Sequence, residues 1–420
     1  MAAPHASSDD FELIDREEAN LGPEDLAKIH KWLQPTDYMA ESGEFHRHLL
    51  SQAPGTGLWI CDTLKFQQWQ DSGEHSSLWI KGVPGAGKSV TAASMIEYLK
   101  KENVPVLFFF FRYIIVANRR PRSLVRDWLS QLLPHSLRLQ ATLQPLLKSE
   151  LDGISDNELW GYLLAGLSSV DKAYCVVDAL DEMEQVPNDS FLRRLNALAT
   201  FRPGAVNLLM TSRPKQYLQS ALRDASIVHI SLEQDLVGKD IAAFVSHRLR
   251  NVLSFVDQQL RDSLQSIICM RSQGLFLYAR LLLDQITPTI SSTERPDVES
   301  LANTLPIGLE DMYNSMLFQH AKAFKIGTSI QVFLLECATH SSRPLRLNEL
   351  ANFLGFVFSF SMPGTPKEIT RSACAPLLEI AEDETVQSRL EVMFFCSRLP
   401  FELLLLNCLR RRPFKFFLVK

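Results

Sequence analysis

The eight residues Gly82-Val83-Pro84-Gly85-Ala86-Gly87-Lys88-Ser89 fit the spacing G-x-x-x-x-G-K-[ST], a pattern whose chemistry is the gripping of phosphate. Gly82, Gly85 and Gly87 let the backbone turn tightly and aim its N–H groups at phosphate oxygens, and a helix starting near Lys88 adds the positive end of its dipole. In such a loop Lys88 reaches the β- and γ-phosphates and the Ser89 hydroxyl ligates Mg²⁺, with Ala86 and Val90 completing the cradle. A metal-bound triphosphate also needs a carboxylate at the end of a neighbouring strand, and "AYCVVDALDEM" supplies Asp178 there. Asp181 and Glu182 fall on the loop beyond, where one of them can orient or deprotonate the attacking water. The strand-like "VNLLMTSRP" ends in Thr211, Ser212 and Arg213, an arginine delivered where it can sense or neutralise a γ-phosphate. The grip alone does not distinguish a motor, a phosphoryl donor and a switch.

These residues need a sheet to hold them. Between about 76 and 235, short apolar runs alternate with amphipathic helical stretches: "LWIKG", "VPVLFFFF", "AYCVVD", "VNLLMTS" and "SIVHISL". Near-continuous apolar strands are buried on both faces, which predicts an α/β fold with a parallel sheet wrapped by helices. The quartet Phe108 to Phe111 reads as buried core of the second strand and not as a base-stacking patch. From 236 to 305 the pattern is helical, with "GKDIAAFVSHRLRNVL", "DQQLRDSLQSIICMRS" and "GLFLYARLLLDQI" carrying apolar stripes at i, i+3, i+4. A Pro- and Ser-containing break, "TPTISSTERPD", precedes two further helices in a small domain at 306–387. Upstream, 1–22 reads as a disordered acidic lead and 23–75 as a helical adaptor and linker.

Size and composition are consistent with this division. The 420 residues suffice for two or three domains, and 46% hydrophobic content is ordinary for a soluble globular protein. A net charge of −5 without a long basic stripe disfavours nucleic acid and anionic membrane as partners. Seven scattered cysteines with no C-x-x-C pair read as reduced thiols, not a disulfide frame or zinc site. The acidic N-terminus lacks the basic start and apolar run of a signal peptide, and the most apolar runs are shorter than the ~20 residues a bilayer needs. The expected location is cytoplasmic.

The ordered motifs "PGTGLWICDTLKFQQW", "LWIKGVPGAGKSV", "FFFFR", "YCVVDALDE", "LLMTSRP", "GLFLYARLLL", "LPIGLEDMY" and "RPLRLNEL" resemble the NACHT-type signal-transduction NTPases, specifically the fungal NOD-like receptor proteins. The resemblance covers roughly 30 to 387. It implies a P-loop NTPase with a five-stranded parallel sheet in which the Arg213 strand lies between the phosphate-loop and Asp178 strands, followed by a helical domain and a winged-helix domain. Such an assembly clamps ADP in an off state; exchange for ATP, or GTP as the alternative, opens it for self-association or association with full-length relatives, in nonself recognition or programmed cell death. By carry-over, Lys88 and Ser89 hold phosphate and Mg²⁺, Asp178 the Mg²⁺, Asp181 or Glu182 the water, and Arg213 is the sensor.

Three departures accompany the resemblance. Related switches place a proline against the adenine where "GLFL" here has Phe276. After Gln387 the tail "SRLEVMFFCSRLPFELLLLNCLRRRPFKFFLVK" (388–420) lacks the histidine and the ending of the family's winged helix, as expected of a shifted frame or retained intron in a truncated receptor. No ankyrin, WD or tetratricopeptide repeats follow. The rival reading is a truncated, non-hydrolysing nucleotide-binding interaction protein or decoy. A P-loop kinase is disfavoured by the extra acids after Asp178 and the lack of an acceptor-binding segment.

Overall fold

The computed structural model describes residues 21–388, except 41–42, 72, 114, 185–190, 225, 253–256, 292–304, 342, 359–363, 375–376 and 381–383. The acidic lead up to residue 20 and the tail beyond 388 lie outside the described residues. Ahead of the sheet come α1 (Pro23–Leu33), α2 (Glu44–Ser51) and α3 (Leu64–Asp71). The α/β core follows as β1 (Ser77–Lys81), α4 (Lys88–Leu99), β2 (Val106–Phe110), α5 (Pro121–Leu132), α6 (Leu137–Leu143), α7 (Asp156–Ser168), β3 (Ala173–Asp178), α8 (Phe191–Phe201), β4 (Val206–Ser212), α9 (Gln216–Ala221) and β5 (Ile227–Ser231).

The five apolar runs form one sheet, ordered β2-β3-β4-β1-β5, with every neighbouring pair parallel. β4 lies between β1 and β3, as the resemblance implies, with Ile80 opposite Thr211 and Val176 opposite Leu209. This order brings the ends of β1, β3 and β4 side by side, so Gly82, Asp178 and Arg213 meet at one carboxyl edge. Phe108, Phe109, Phe110 and Phe111 are all buried, as expected of core residues. β2 is an edge strand, and its exposed ladder is closed by a side chain: the Phe108 N–H donates to Gln131 Oε1 at 2.7 Å and Gln131 Nε2 donates to the Phe108 carbonyl at 2.9 Å. Among the described residues Cys61, Cys175, Cys269 and Cys337 are free thiols.

The segment read as adaptor and linker is seated on this core. Arg126 of α5 donates to the carbonyls of Leu33 and Gln34 at 2.7 Å each, and buried Asp127 accepts from the Thr36 N–H at 3.1 Å and the Tyr38 hydroxyl at 2.9 Å. Trp69 of α3 donates to the Leu208 carbonyl at 3.1 Å and its own carbonyl accepts from Asn207 at 2.7 Å, sealing the start of β4.

Downstream run α10 (Gln234–Val252), α11 (Gln258–Ser272) and α12 (Phe276–Ser291). The break expected from "TPTISSTERPD" begins later than its first residues: α12 continues through Thr287 and Pro288 to Ser291. A proline removes one backbone donor but does not end a helix whose preceding turns are already packed, and buried Leu281, Leu282, Leu283 and Ile286 hold this one.

The last described unit contains α13 (Gly308–Phe324), α14 (Thr328–His340), β6 (Leu345–Arg346), α15 (Leu347–Val357), α16 (Pro366–Cys374), β7 (Leu378–Ile380) and β8 (Thr385–Ser388). Its strands pair antiparallel in the order β6-β8-β7 beside the helices, an arrangement of the winged-helix type. Two helices were expected there from the sequence, at α13 and α15, and four are present. α14, "TSIQVFLLECATH", carries apolar residues on most sides and buries Gln331, Phe333, Leu334, Leu335 and Glu336, so it lacks a clean helical stripe.

Candidate functional site

β1 ends against the sheet core and releases the chain into a loop where Gly85 (φ 79°) and Gly87 (φ 89°) both adopt left-handed backbone. A side chain there would be strained, and it would also collide: an added Cβ meets Leu277 Cβ at 2.9 Å from Gly85 and Phe276 Cδ2 at 3.0 Å from Gly87. Gly87 is the N-cap of α4 and offers no side-chain cap, which leaves the first N–H groups of the helix open toward a ligand. Lys88 folds back so that Nζ donates to the Gly82 and Val83 carbonyls at 2.9 Å each. Burial lowers the Lys88 pKa, and the nearby Asp181 and Asp178 carboxylates oppose that shift.

Asp178 closes β3 and is buried. It accepts hydrogen bonds from the hydroxyls of Thr211 and Ser89, and burial raises its pKa against those bonds. Ala179, directly after it, is held in left-handed backbone (φ 54°) while its N–H donates to Thr211 Oγ1 at 3.2 Å. An alanine there stores roughly 1–2 kcal/mol of strain, a local cost tolerated where β3 and β4 must hold Asp178 in place. Ser89 and Asp178 thus offer adjacent oxygen ligands of the kind Mg²⁺ accepts alongside phosphate and water. Among the described residues no group of three or more His, Cys, Asp or Glu side chains could hold a metal by itself.

The two acids on the following loop are in different situations. Asp181 is committed to Arg213: Arg213 Nε lies 2.8 Å from Oδ2, and the Arg213 N–H donates to Oδ1 at 2.9 Å. Glu182 is half-buried, 3.6 Å from the Arg213 guanidinium, and accepts from the Tyr113 N–H at 3.4 Å. Burial pushes its pKa up to about 7, with Arg112 and Arg213 pulling the other way. A carboxyl group titrating near neutrality holds and releases a proton with comparable ease, which is what general-base chemistry needs.

Lys88, Ser89, Val90, Gly85, Gly87, Asp181, Glu182 and Arg213 line one cavity of about 250 Å³, with Asp178 buried beside it and Gly82 and Ala86 in the loop behind. The opposite wall, apart from Phe276, was not legible in the sequence. It comprises His48 and Gln52 from the α2 region, Thr56 and Gly57, Asp240 and Phe244 of α10, and Phe276, Leu277 and Arg280 of α12. The Leu277 N–H donates to the Gly85 carbonyl at 3.2 Å, so the first turn of α12 is seated on the phosphate loop. Phe276 packs on Gly87 and makes an edge contact with Phe244, ring centroids 5.9 Å apart. His48 lies 3.3 Å from Glu44, a buried carboxylate also 3.3 Å from Arg112, and its ring packs on Phe110.

Asp240 Oδ2 accepts from the Gly57 N–H at 2.7 Å and the Trp59 indole N–H at 2.9 Å, tying the segment before β1 to α10. Burial raises the Asp240 pKa and those two donors oppose it. Asp240→Ala leaves both donors without their acceptor, and it is expected to destabilise the chain by about 1–3 kcal/mol, read as a lower denaturation midpoint in urea.

Residues 55–213 match the family model described as Nephrocystin 3, N-terminal. The vegetative incompatibility protein HET-E-1 of Podospora anserina is 23% identical over 318 residues, which make up 70% of this chain and 22% of that protein. The chain therefore spans about a fifth of the length of that relative. Among solved structures, Cdc6p from Pyrobaculum aerophilum is 12% identical over 85% of this chain and 93% of its own, at a TM-score of 0.37. The Orc1 protein of Aeropyrum pernix, solved in complex with DNA, is 13% identical over 92% of this chain and 96% of its own, at a TM-score of 0.35. At such scores neither likeness bears on the geometry described above. Among the described residues no helix is long and apolar enough to cross a membrane.

Proposed function

We propose that this chain, a relative of the fungal NACHT-type NTPases, is a nucleotide-dependent switch that binds ATP or GTP with Mg²⁺, hydrolyses it slowly, and thereby controls self-assembly in nonself recognition or programmed cell death. The observation that carries the reading is the two-sided cavity. A nucleotide gripped by the phosphate loop on one wall touches α10 and α12 on the other, so its phosphate state bears on how those elements sit together.

In this reading the backbone from Gly82 to Val90, including Ala86, cradles the phosphates and Lys88 neutralises them. Ser89 and Asp178 would hold the Mg²⁺, which would supply neutralisation of the phosphate charge. Glu182 takes the proton of the attacking water, and Asp181 orients Arg213, which reads the γ-phosphate. A second reading, a binding protein that does not hydrolyse, is favoured by one observation: the Arg213 guanidinium is closed on Asp181 and Glu182.

Purification of the chain, identification of the nucleotide that accompanies it, and measurement of its mass with and without ATP test the switch. Bound ADP and an ATP-dependent rise in mass are expected. A chain with no nucleotide affinity overturns the reading, and one that binds without turnover or change in mass leaves the binding protein.

A further inference from the structure

We propose that Arg280, carried on α12, bonds a phosphate oxygen of the nucleotide in this cavity, so that the ligand's charge ties α12 to the phosphate loop. The inference rests on the nucleotide reading above and adds a contact to it from outside the phosphate-loop core.

The cavity is lined by three strong cations, Lys88, Arg213 and Arg280. Lys88 spends two of its donors on the Gly82 and Val83 carbonyls, and Arg213 is closed on Asp181 and Glu182. Arg280 has no ion pair or hydrogen bond among the described residues. The carboxylates that would ordinarily take it are engaged elsewhere. Asp284, at i+4 on the same helix, pairs with Arg248 of α10 at 3.1 Å, and Asp240 across the cavity accepts from Gly57 and Trp59. A guanidinium in that position is an unclaimed set of donors facing a space built for an anion.

Its placement is fixed by packing. Arg280 stands at i+4 from Phe276 and i+3 from Leu277, the residues that press on Gly87 and Gly85, so it belongs to the face of α12 turned to the loop. It is exposed at the cavity mouth, so a phosphate can reach it without displacing a protein partner. A charge-assisted bond formed there favours nucleotides over nucleosides and favours the arrangement in which α12 stays seated.

The test compares the affinities of adenosine, ADP and ATP for the wild-type chain, Arg280→Ala, Arg280→Lys and Lys88→Ala. Arg280→Ala is expected to weaken ADP and ATP about 10-fold or more and to leave adenosine within about twofold. Arg280→Lys, which keeps the charge without the fork, is expected to recover part of the loss. An unchanged ADP affinity in Arg280→Ala, or an equal loss for adenosine and ADP, overturns the proposal. Nucleotide binding abolished by Lys88→Ala but untouched by Arg280→Ala sinks this inference alone, whereas a wild-type chain that binds no nucleotide removes the function reading with it. Arg280 is exposed and unpaired, so the variants should keep the wild-type thermal midpoint, which checks that they are folded.

Discussion

Lys88→Ala is expected to reduce ADP and ATP affinity by at least about 100-fold, because a charge-assisted hydrogen bond to phosphate contributes roughly 1.5–3 kcal/mol and the Coulombic attraction of the ammonium for the phosphate charge adds to it. Isothermal titration of the purified variant gives the number directly. In the structure Lys88 Nζ sits on the Gly82 and Val83 carbonyls at 2.9 Å, so the ammonium is held at the loop before any ligand arrives. The substitution therefore has a second, smaller effect. Two loop carbonyls lose a donor, and a fall of about 1 kcal/mol in stability per lost bond is expected in denaturation. The two effects separate by measurement: affinity collapses while the chain remains folded. Undiminished affinity would remove the phosphate grip from this loop and with it the basis for every role assigned around the cavity.

What could be read from the sequence follows from how local each signal is. The five strands were legible because a buried parallel strand must be apolar on both faces, and "LLMTS" or "YCVVD" can be little else beside turn residues. Gly82 to Ser89, Asp178 and Arg213 were legible for the same reason, since each motif lies on one continuous stretch of chain. The roles of Asp181 and Glu182 were not separable in one dimension. Only the closer, two-point engagement of Asp181 by Arg213 and the raised pKa of Glu182 distinguish them, and both arise from the pairing of β3 with β4. The meeting of the far wall's parts was invisible, because Gly57 and Asp240 are 183 residues apart and nothing in their separate stretches pairs them. The same holds for His48, read as part of a linker although it lines the cavity beside Glu44. α14 escaped notice through the opposite failing, a helix too uniformly apolar to show a period.

Glu182→Gln is expected to leave nucleotide affinity within about threefold of wild type while turnover falls about 100- to 10,000-fold, the range that a positioned general base contributes. The amide keeps the shape and the acceptor for the Tyr113 N–H but cannot take a proton. Steady-state hydrolysis and equilibrium binding on the same preparation decide it, and a variant that turns over at the wild-type rate assigns the water to another group. The pKa gives a further, independent sign. Because burial raises the Glu182 pKa to about 7, well above that of an unfolded glutamate, the folded chain binds this proton more tightly than the unfolded chain does. The stability tied to that proton is present below the ordinary glutamate range and is lost as pH rises through about 7. Wild-type turnover should therefore increase through the same interval in which wild-type stability declines, since the ionised carboxylate is both the working base and the form that burial disfavours. Glu182→Gln removes both dependences together. Its melting temperature should exceed that of the wild type at pH 8 and approach it at pH 5, and a variant whose stability advantage does not grow with pH would show that Glu182 is not the buried acid the site requires.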